Sequence, residues 1–197
     1  FHWSLVLCVV GLIISGNIGG NAMVWHGRLG YAVLTLLLFR LVWGFVGGHW
    51  SRFGSFLYAP SSLIAYLQGR SKLEHRVGHT PLGALSVFAL LLVLLTQVTT
   101  GLMSDDEIAF FGPLVRFVSG DTVALATSYH KNVGKFIVIA LVVLHVAAIV
   151  FYKWVKKDNL VRPMVVGDKQ MAASHKLPQA RDSLASRALA LMVLAVC

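Results

Sequence analysis

Four of the eight histidines in this chain fall within long apolar runs: His2, His26, His130 and His145. An ionisable side chain in such a run is costly and points to a function at that position. One imidazole of this kind can simply hydrogen-bond to a neighbouring helix. Four of them suggest metal ligation, because a neutral ring can offer one nitrogen to a metal while the other holds a hydrogen bond. His145 follows His130 by 15 residues. On one helix that is a rise of about 22 Å and a rotation of only about 60°, so the two share a face. His26 opens the second apolar run and lies level with His130, while His2 begins the first run about 15 residues before the turn at 17–21, near the depth of His145. The depths pair as His26 with His130 and His2 with His145.

Two imidazoles from different helices at one depth can hold a haem iron from both sides. Such an iron has no open position for oxygen or substrate, and its natural work is electron transfer. Zinc and copper sites usually gather three or four ligands at one point, so two separate levels of two histidines favour haem. No C-x-x-C-H occurs in the sequence, which leaves covalent c-type haem out and makes two non-covalent b-type haems the expected cofactors.

The elements that must position these histidines follow from composition. Of 197 residues, 57% are hydrophobic and 13% charged, with mean hydropathy +0.75; a soluble domain would carry about a quarter charged residues. The apolar residues sit in runs at about 1–16, 22–46, 82–103 and 129–154, the last three long enough to cross a bilayer, which takes about 20 residues of helix. The fold class is therefore all-α: an integral membrane four-helix bundle binding two haems. Thr80 and Pro81 suit the N-cap and first turn of the third helix. The stretch 184–197 could begin an additional C-terminal helix, but about 14 residues do not span. Residues 1–167 form the expected di-haem domain and 168–197 a polar tail leading into that extra helix. Phe1 and Cys197 both lie in apolar runs, so both ends are candidates for truncation; no basic leader or small-residue cleavage site marks the first run as a signal peptide. Cys8 and Cys197 lie in apolar runs too and do not suggest a disulfide framework.

The net charge of +9 fits the positive-inside bias of a membrane protein better than nucleic-acid binding. Connection 47–81 carries Arg52, Arg70, Lys72 and Arg76 against Glu74, and the segment from 153 carries Lys153, Lys156, Lys157 and Arg162 against Asp158. Connection 104–128 carries Asp105, Asp106, Glu107 and Asp121 against Arg116. Loops 47–81 and 153 onward are thus expected on the cytoplasmic side, and 17–21 and 104–128 outside. Within the first of these, Pro60–Leu67 reads as a short helix that either lies in the interface or is an ordinary capped loop helix.

Arg40 follows His26 by 14 residues, about 21 Å further in and about 40° off the same face. Every acid of the chain lies in a connection or the tail, so a haem propionate is the anion expected to meet Arg40 if it is buried; snorkelling to the interface is the competing reading. Arg28, Lys131 and Lys135 cluster near the outer histidines as further propionate partners. Gly27, Gly30 and Gly134 lie near the ligands, and Gly11 and Gly44 share their helices; they either admit a flat macrocycle or serve ordinary helix packing. His49, His75, His79 and His175 fall in connections or the tail and read as solvated; the i, i+4 pair His75 and His79 is a weak metal motif.

These stretches resemble the bacterial cytochrome b-561 family, which is related to the b-type cytochrome subunits of nickel–iron hydrogenases and to formate dehydrogenase membrane subunits. The resemblance rests on FHW at 1–3, HGRLGY at 26–31, FRLVWGFVG at 39–47, GHTPLGAL at 78–85, TGLMSDDE at 100–107, GPL at 112–114, the H-x14-H spacing at 130–145 and NLVRPMVVGDK at 159–169. It implies four core helices, one haem near each side of the membrane, ligands at His2, His26, His130 and His145, and electron exchange with quinone, a partner protein or both. The family commonly has Asn where Thr80 stands and often an acid where Lys131 stands, a change that bears on the outer haem's potential or the partner surface.

The expected function is electron transfer across a bacterial inner membrane between membrane quinone and a redox partner, for which a c-type cytochrome docking on the acids 105–107 is one candidate. A quinol:acceptor oxidoreductase subunit is one form of that role, and an oligomer is compatible with it. The alternative is a haem-bearing membrane anchor of a hydrogenase or dehydrogenase. A non-haem metal transporter is the weakest reading, since such proteins usually place acids in their helices. Thr96, Gln97, Thr99 and Thr100 put polar groups near the outer end of the third helix, as a quinone site or as helix–helix hydrogen bonds.

Overall fold

A computed structural model of the chain describes residues 1–70, 78–108, 110–167 and 183–197. The readings made above for His75, His175, residues 168–182 and the charges at 72, 74 and 76 lie outside these. The described residues contain no strand, only an isolated bridge between Asp105 and Phe111. The helices are α1 (His2–Ile18), α2 (Met23–Val46), α3 (Pro60–Leu67), α4 (Pro81–Leu102), α5 (Gly120–Tyr129), α6 (Lys135–Trp154), α7 (Val161–Val166) and α8 (Leu184–Val196). A π-helical turn at His130–Gly134 joins α5 to α6.

Three helical stretches among the described residues are long and apolar enough to cross a membrane: Gly20–Val46, Pro81–Leu102 and Gly120–Trp154. The first helix, at 17 residues, rises about 26 Å, somewhat less than a hydrocarbon core of about 30 Å. Their flanks show why they lie in lipid. Leu7, Phe45, Leu92 and Leu144 are exposed, and side chains of this kind recur around the helices, whereas a water-facing surface would limit such patches.

The chain forms two compact units. One comprises Phe1–Leu38 and Leu90–Val142, the other Phe39–Ala89 and Val143–Cys197, so α2, α4 and α6 each contribute to both. In the first unit Val33, Leu37, Leu91, Leu94, Ala126 and Val138 are buried. The turn after α1 is made by Gly19 and Gly20, with φ of 69° and 52°, a left-handed conformation that glycine alone adopts cheaply. The fourth expected helix starts nine residues earlier than its apolar run (129 − 120). Ser119 caps it by accepting from the Thr122 N–H at 3.3 Å, and Asp121 in its first turn suits the helix dipole. Its polar, small residues had hidden it.

In the second unit Phe56 is buried, and its ring centroid lies 6.0 Å from that of Phe53 and 5.5 Å from that of Phe88. Gly44 permits this packing: a side chain there would collide with the Phe53 ring. Thr80 caps α4 as expected, its hydroxyl accepting from the Gly83 N–H at 3.0 Å. Helix α3 forms over the expected residues, and its exposed Ile64 and Leu67, with Leu57 before it, suit an interfacial position. Ser183 and Ser186 form a capping box at the start of α8.

The Tyr66 hydroxyl is hydrogen-bonded to that of Tyr152, tying α3 to α6. Burial, then this bond, pushes the Tyr66 phenol up to about 12. The folded protein holds that proton more tightly than the unfolded chain, so the associated stability is complete below about pH 10 and is lost as pH rises through about 12. Alkaline titration of phenolate absorbance is expected to show one tyrosine ionising near the top of the range, and Tyr152→Phe to bring it down; an unchanged titration would contradict the pairing.

Candidate functional site

The first unit brings together His26 from α2 and His130 from the π turn. Their ring centroids are 6.0 Å apart and their planes meet at 83°. Nδ1 of His130 lies 2.9 Å from the carbonyl oxygen of Gln97 on α4. Nδ1 of His26 lies 3.1 Å from the carbonyl oxygen of Leu12 on α1 and 3.3 Å from the Ser15 hydroxyl oxygen. Ser15 spends its own proton on the Gly11 carbonyl at 2.7 Å, so it faces His26 as an acceptor. A carbonyl can only accept, so both rings carry their proton on Nδ1 and turn a lone pair on Nε2 away from these bonds. Orientation of a ring by its other nitrogen is how metal-bound histidines are usually held.

Local sequence explains the geometry. A π turn frees backbone carbonyls from the regular ladder; the His130 carbonyl is met by Nε2 of Gln97 at 3.0 Å. Gln97 thus receives from the ring through its backbone and gives to the same residue through its side chain. Gly134 makes room for it, since a Cβ there would overlap the Gln97 amide. Two other glycines lie against the rings themselves. A Cβ on Gly16 would come within 3.1 Å of His26 Cε1, and one on Gly101 within 2.8 Å of His130 Cε1.

His2 stands in the first unit, its ring edge-on to Trp3 at 5.4 Å, and His145 in the second, with Nδ1 3.3 Å from the Ser86 hydroxyl. In the same unit Arg40 lies over the Phe53 ring, its guanidinium carbon 4.7 Å from the centroid, and its buried Nη1 has no hydrogen-bond partner among the described residues. Arg28 and Lys135 stack instead on Trp25 and Phe136, at 4.9 and 5.0 Å, and Lys131 is exposed. The residues present fit a bis-imidazole haem: the His26 and His130 ring centroids lie 6.0 Å apart, and each ring has its Nδ1 spent on a backbone carbonyl. No group of three or more His, Cys, Asp or Glu side chains suited to a metal ion occurs among the described residues.

Several residues differ from the reading of the sequence. His79 is not solvated: its ring packs on Phe56 with centroids 4.4 Å apart. Polar groups on α4 are largely consumed locally, Thr96 donating to Leu92 and Thr100 to Thr96. Of the glycines singled out, Gly11 meets Leu29, Gly27 meets Phe110, Gly44 meets Phe53 and Gly134 meets Gln97, while Gly30 alone of these faces open space. Gly16, Gly101, Ser15 and Ser86 were missed as histidine supports. Gln97, read as a quinone-site group or a helix–helix hydrogen bonder, makes a bond of the second kind to the His130 carbonyl.

Comparisons with known proteins agree with this architecture. The chain is 24% identical over 212 residues, covering 89% of itself and 87% of the relative, to a protein of Escherichia coli strain K12 described as a probable Ni/Fe-hydrogenase 1 B-type cytochrome subunit. The same figures hold for the protein of that description in Escherichia coli O157:H7. No solved structure matches. Residues 1–167 match the prokaryotic cytochrome b561 family, and over that length, with its apolar helices and facing histidines, the chain belongs to this family of membrane haem proteins that transfer electrons.

Proposed function

We propose that His26 and His130 hold one b-type haem, that His2 and His145 hold a second, and that the protein passes electrons between a membrane quinone and a redox partner. The observation that carries this is the 6.0 Å between the His26 and His130 rings. Twice the sum of a metal–nitrogen bond of about 2 Å and a ring-centre offset of about 1 Å gives about 6 Å. Neither ring would have to move far to share an iron. A haem held by these histidines would supply a one-electron couple.

The chain's own residues supply the rest. Leu12, Ser15 and Gln97 fix the two outer rings, and Ser86 stands to do the same for His145. Arg40 is the cation best placed for an inner propionate, because its Nη1 is buried without a partner among the described residues; Arg28 and Lys135 are the outer candidates. With the basic connections 47–81 and 153 onward in the cytoplasm, the acidic segment lies outside. There Asp105, Glu107, Thr127, Ser128, Lys131 and Asn132 line a cleft of about 520 Å³ one residue from His130, which supports an outer docking surface for a partner with a basic face, such as a c-type cytochrome. Two of the acids also shape their own loop, Asp106 accepting from the Ile108 and Phe110 N–H groups and Asp105 from that of Glu107.

A second reading has specific support. The relatives over most of the chain carry a hydrogenase subunit description, which favours a haem-bearing membrane anchor of a hydrogenase or dehydrogenase with catalysis in another subunit. Co-purification with such a subunit distinguishes it from a free-standing quinol-to-cytochrome carrier in an inner membrane.

Haem quantitation and reduced-minus-oxidised spectra of the purified protein test the ligand assignment. Two b haems per chain are expected. His26→Ala or His130→Ala removes one, and His2→Ala or His145→Ala the other; unchanged haem content in the His130 variant refutes the outer pairing. Gly101→Val is expected to drive its side chain into the His130 ring at a cost of about 1–3 kcal/mol and lower occupancy of the same haem as His130→Ala. Full occupancy in that variant would mean that α4 does not support the ring.

A further inference from the structure

The second unit contains two buried nitrogens without a hydrogen-bond partner among the described residues, Nη1 of Arg40 and Nδ1 of His79. One aromatic wall serves both. The Arg40 guanidinium carbon lies 4.7 Å from the Phe53 centroid and 5.9 Å from that of Phe56. The His79 ring lies 4.4 Å from Phe56 on the same cluster, and Phe56 itself is 1% exposed. The backbone of His79 is anchored separately, its carbonyl accepting from the Tyr58 hydroxyl at 2.9 Å. Two polar groups from distant parts of the sequence are therefore held beside a rigid apolar surface with a nitrogen each unspent.

Native proteins rarely bury polar atoms in that state, and burying a charge without a partner is more costly still. An acceptor of negative charge satisfies both nitrogens at once: a guanidinium donates to oxygen anions in a planar fork, and imidazole Nδ1 donates in its corresponding tautomer. Neither group relieves the other as they stand, since Nη1 of Arg40 and Nδ1 of His79 are both without a partner among the described residues. Burial pushes the His79 imidazole below its usual value, and the Arg40 charge adds to the effect, so the cation is near enough to act on the ring.

We propose that Arg40 and His79 together form an anion site that takes the oxygens of a carboxylate or phosphate, with His79 as the second, positioning donor beside Arg40. Two sources offer that chemistry here: a propionate of the haem assigned to His145, which rests on the ligand reading above, and the phosphate of a lipid headgroup.

The test uses the full chain in lipid nanodiscs, once in a phosphate-free neutral galactolipid and once with anionic phospholipid, recording haem content, the midpoint of each haem and thermal stability. Arg40→Gln and His79→Phe, the latter keeping a ring against Phe56, are compared with His79→Gln, which keeps a donor. If a propionate occupies the site, both disruptive variants lower one midpoint and spare the other, because an unbalanced carboxylate favours the ferric state. A tenfold change in the oxidised-to-reduced ratio, about 59 mV for one electron, is the expected scale, and His79→Gln restores most of it. If a phosphate occupies it, the midpoints stay, and the stability that anionic lipid gives the wild type disappears in both variants. Unchanged midpoints together with an unchanged lipid response overturn the proposal. A wild type lacking two haems counts against the ligand reading instead, and the lipid comparison then decides this site alone.

Discussion

An imidazole between membrane helices has two nitrogens to satisfy and no water to satisfy them with, and much of this protein's first unit follows from that constraint. Nδ1 of each of the two rings is given to a helix carbonyl, Leu12 for His26 and Gln97 for His130. Those carbonyls belong to helices other than the ones that carry the histidines, so the arrangement exists only when α1, α2 and α4 and the π turn are all in place. Small residues set the approach. Gly16 and Gly101 let the neighbouring helices close on the rings, and Ser15 adds a second acceptor without bulk. What remains on each ring is the Nε2 lone pair, on two rings whose centroids lie 6.0 Å apart.

Much of this was legible in the sequence, because membrane helices leave strong marks. The apolar runs at 22–46 and 82–103 became helices within a residue of their expected ends, since hydropathy alone decides burial in lipid. Pro60–Leu67 and the Thr80 cap were legible from proline and hydroxyl chemistry at helix starts. Counting residues along apolar runs set His26 beside His130, and the two rings do lie near each other, with centroids 6.0 Å apart, although a π turn interrupts the regular helix at His130.

The rest was hidden for identifiable reasons. Helix α5 is built from Gly, Asp, Thr and Ser among its apolar residues, and only Ser119 and Asp121 announce it. No residue pattern marks the π turn at His130–Gly134; it depends on Gln97 reaching a carbonyl from another helix, a contact 33 residues away in the sequence. His79 looked solvated because it belongs to a basic connection, but the aromatic cluster of Phe53, Phe56 and Phe88 draws it in. Tertiary packing of this kind has no local signature. The glycines mislead in a similar way: those nearest the histidines in sequence mostly make room for protein, and those that admit the rings lie on other helices.

The treatment of ring nitrogens also suits a carrier of electrons. Nδ1 of His26 and Nδ1 of His130 each have a backbone partner, which favours a site with little to reorganise when charge changes. In the second unit Arg40 and His79 keep unspent nitrogens, which favours a site completed by something other than protein.

Low-temperature electron paramagnetic resonance of the oxidised protein tests the central claim most directly. Imidazole planes crossed at 83° leave the ferric d orbitals nearly degenerate, so the account predicts a strongly anisotropic low-spin signal that vanishes in His26→Ala and in His130→Ala alike. A high-spin signal from the wild type, or survival of that strongly anisotropic component beside the second haem's own low-spin signal in either variant, would contradict it.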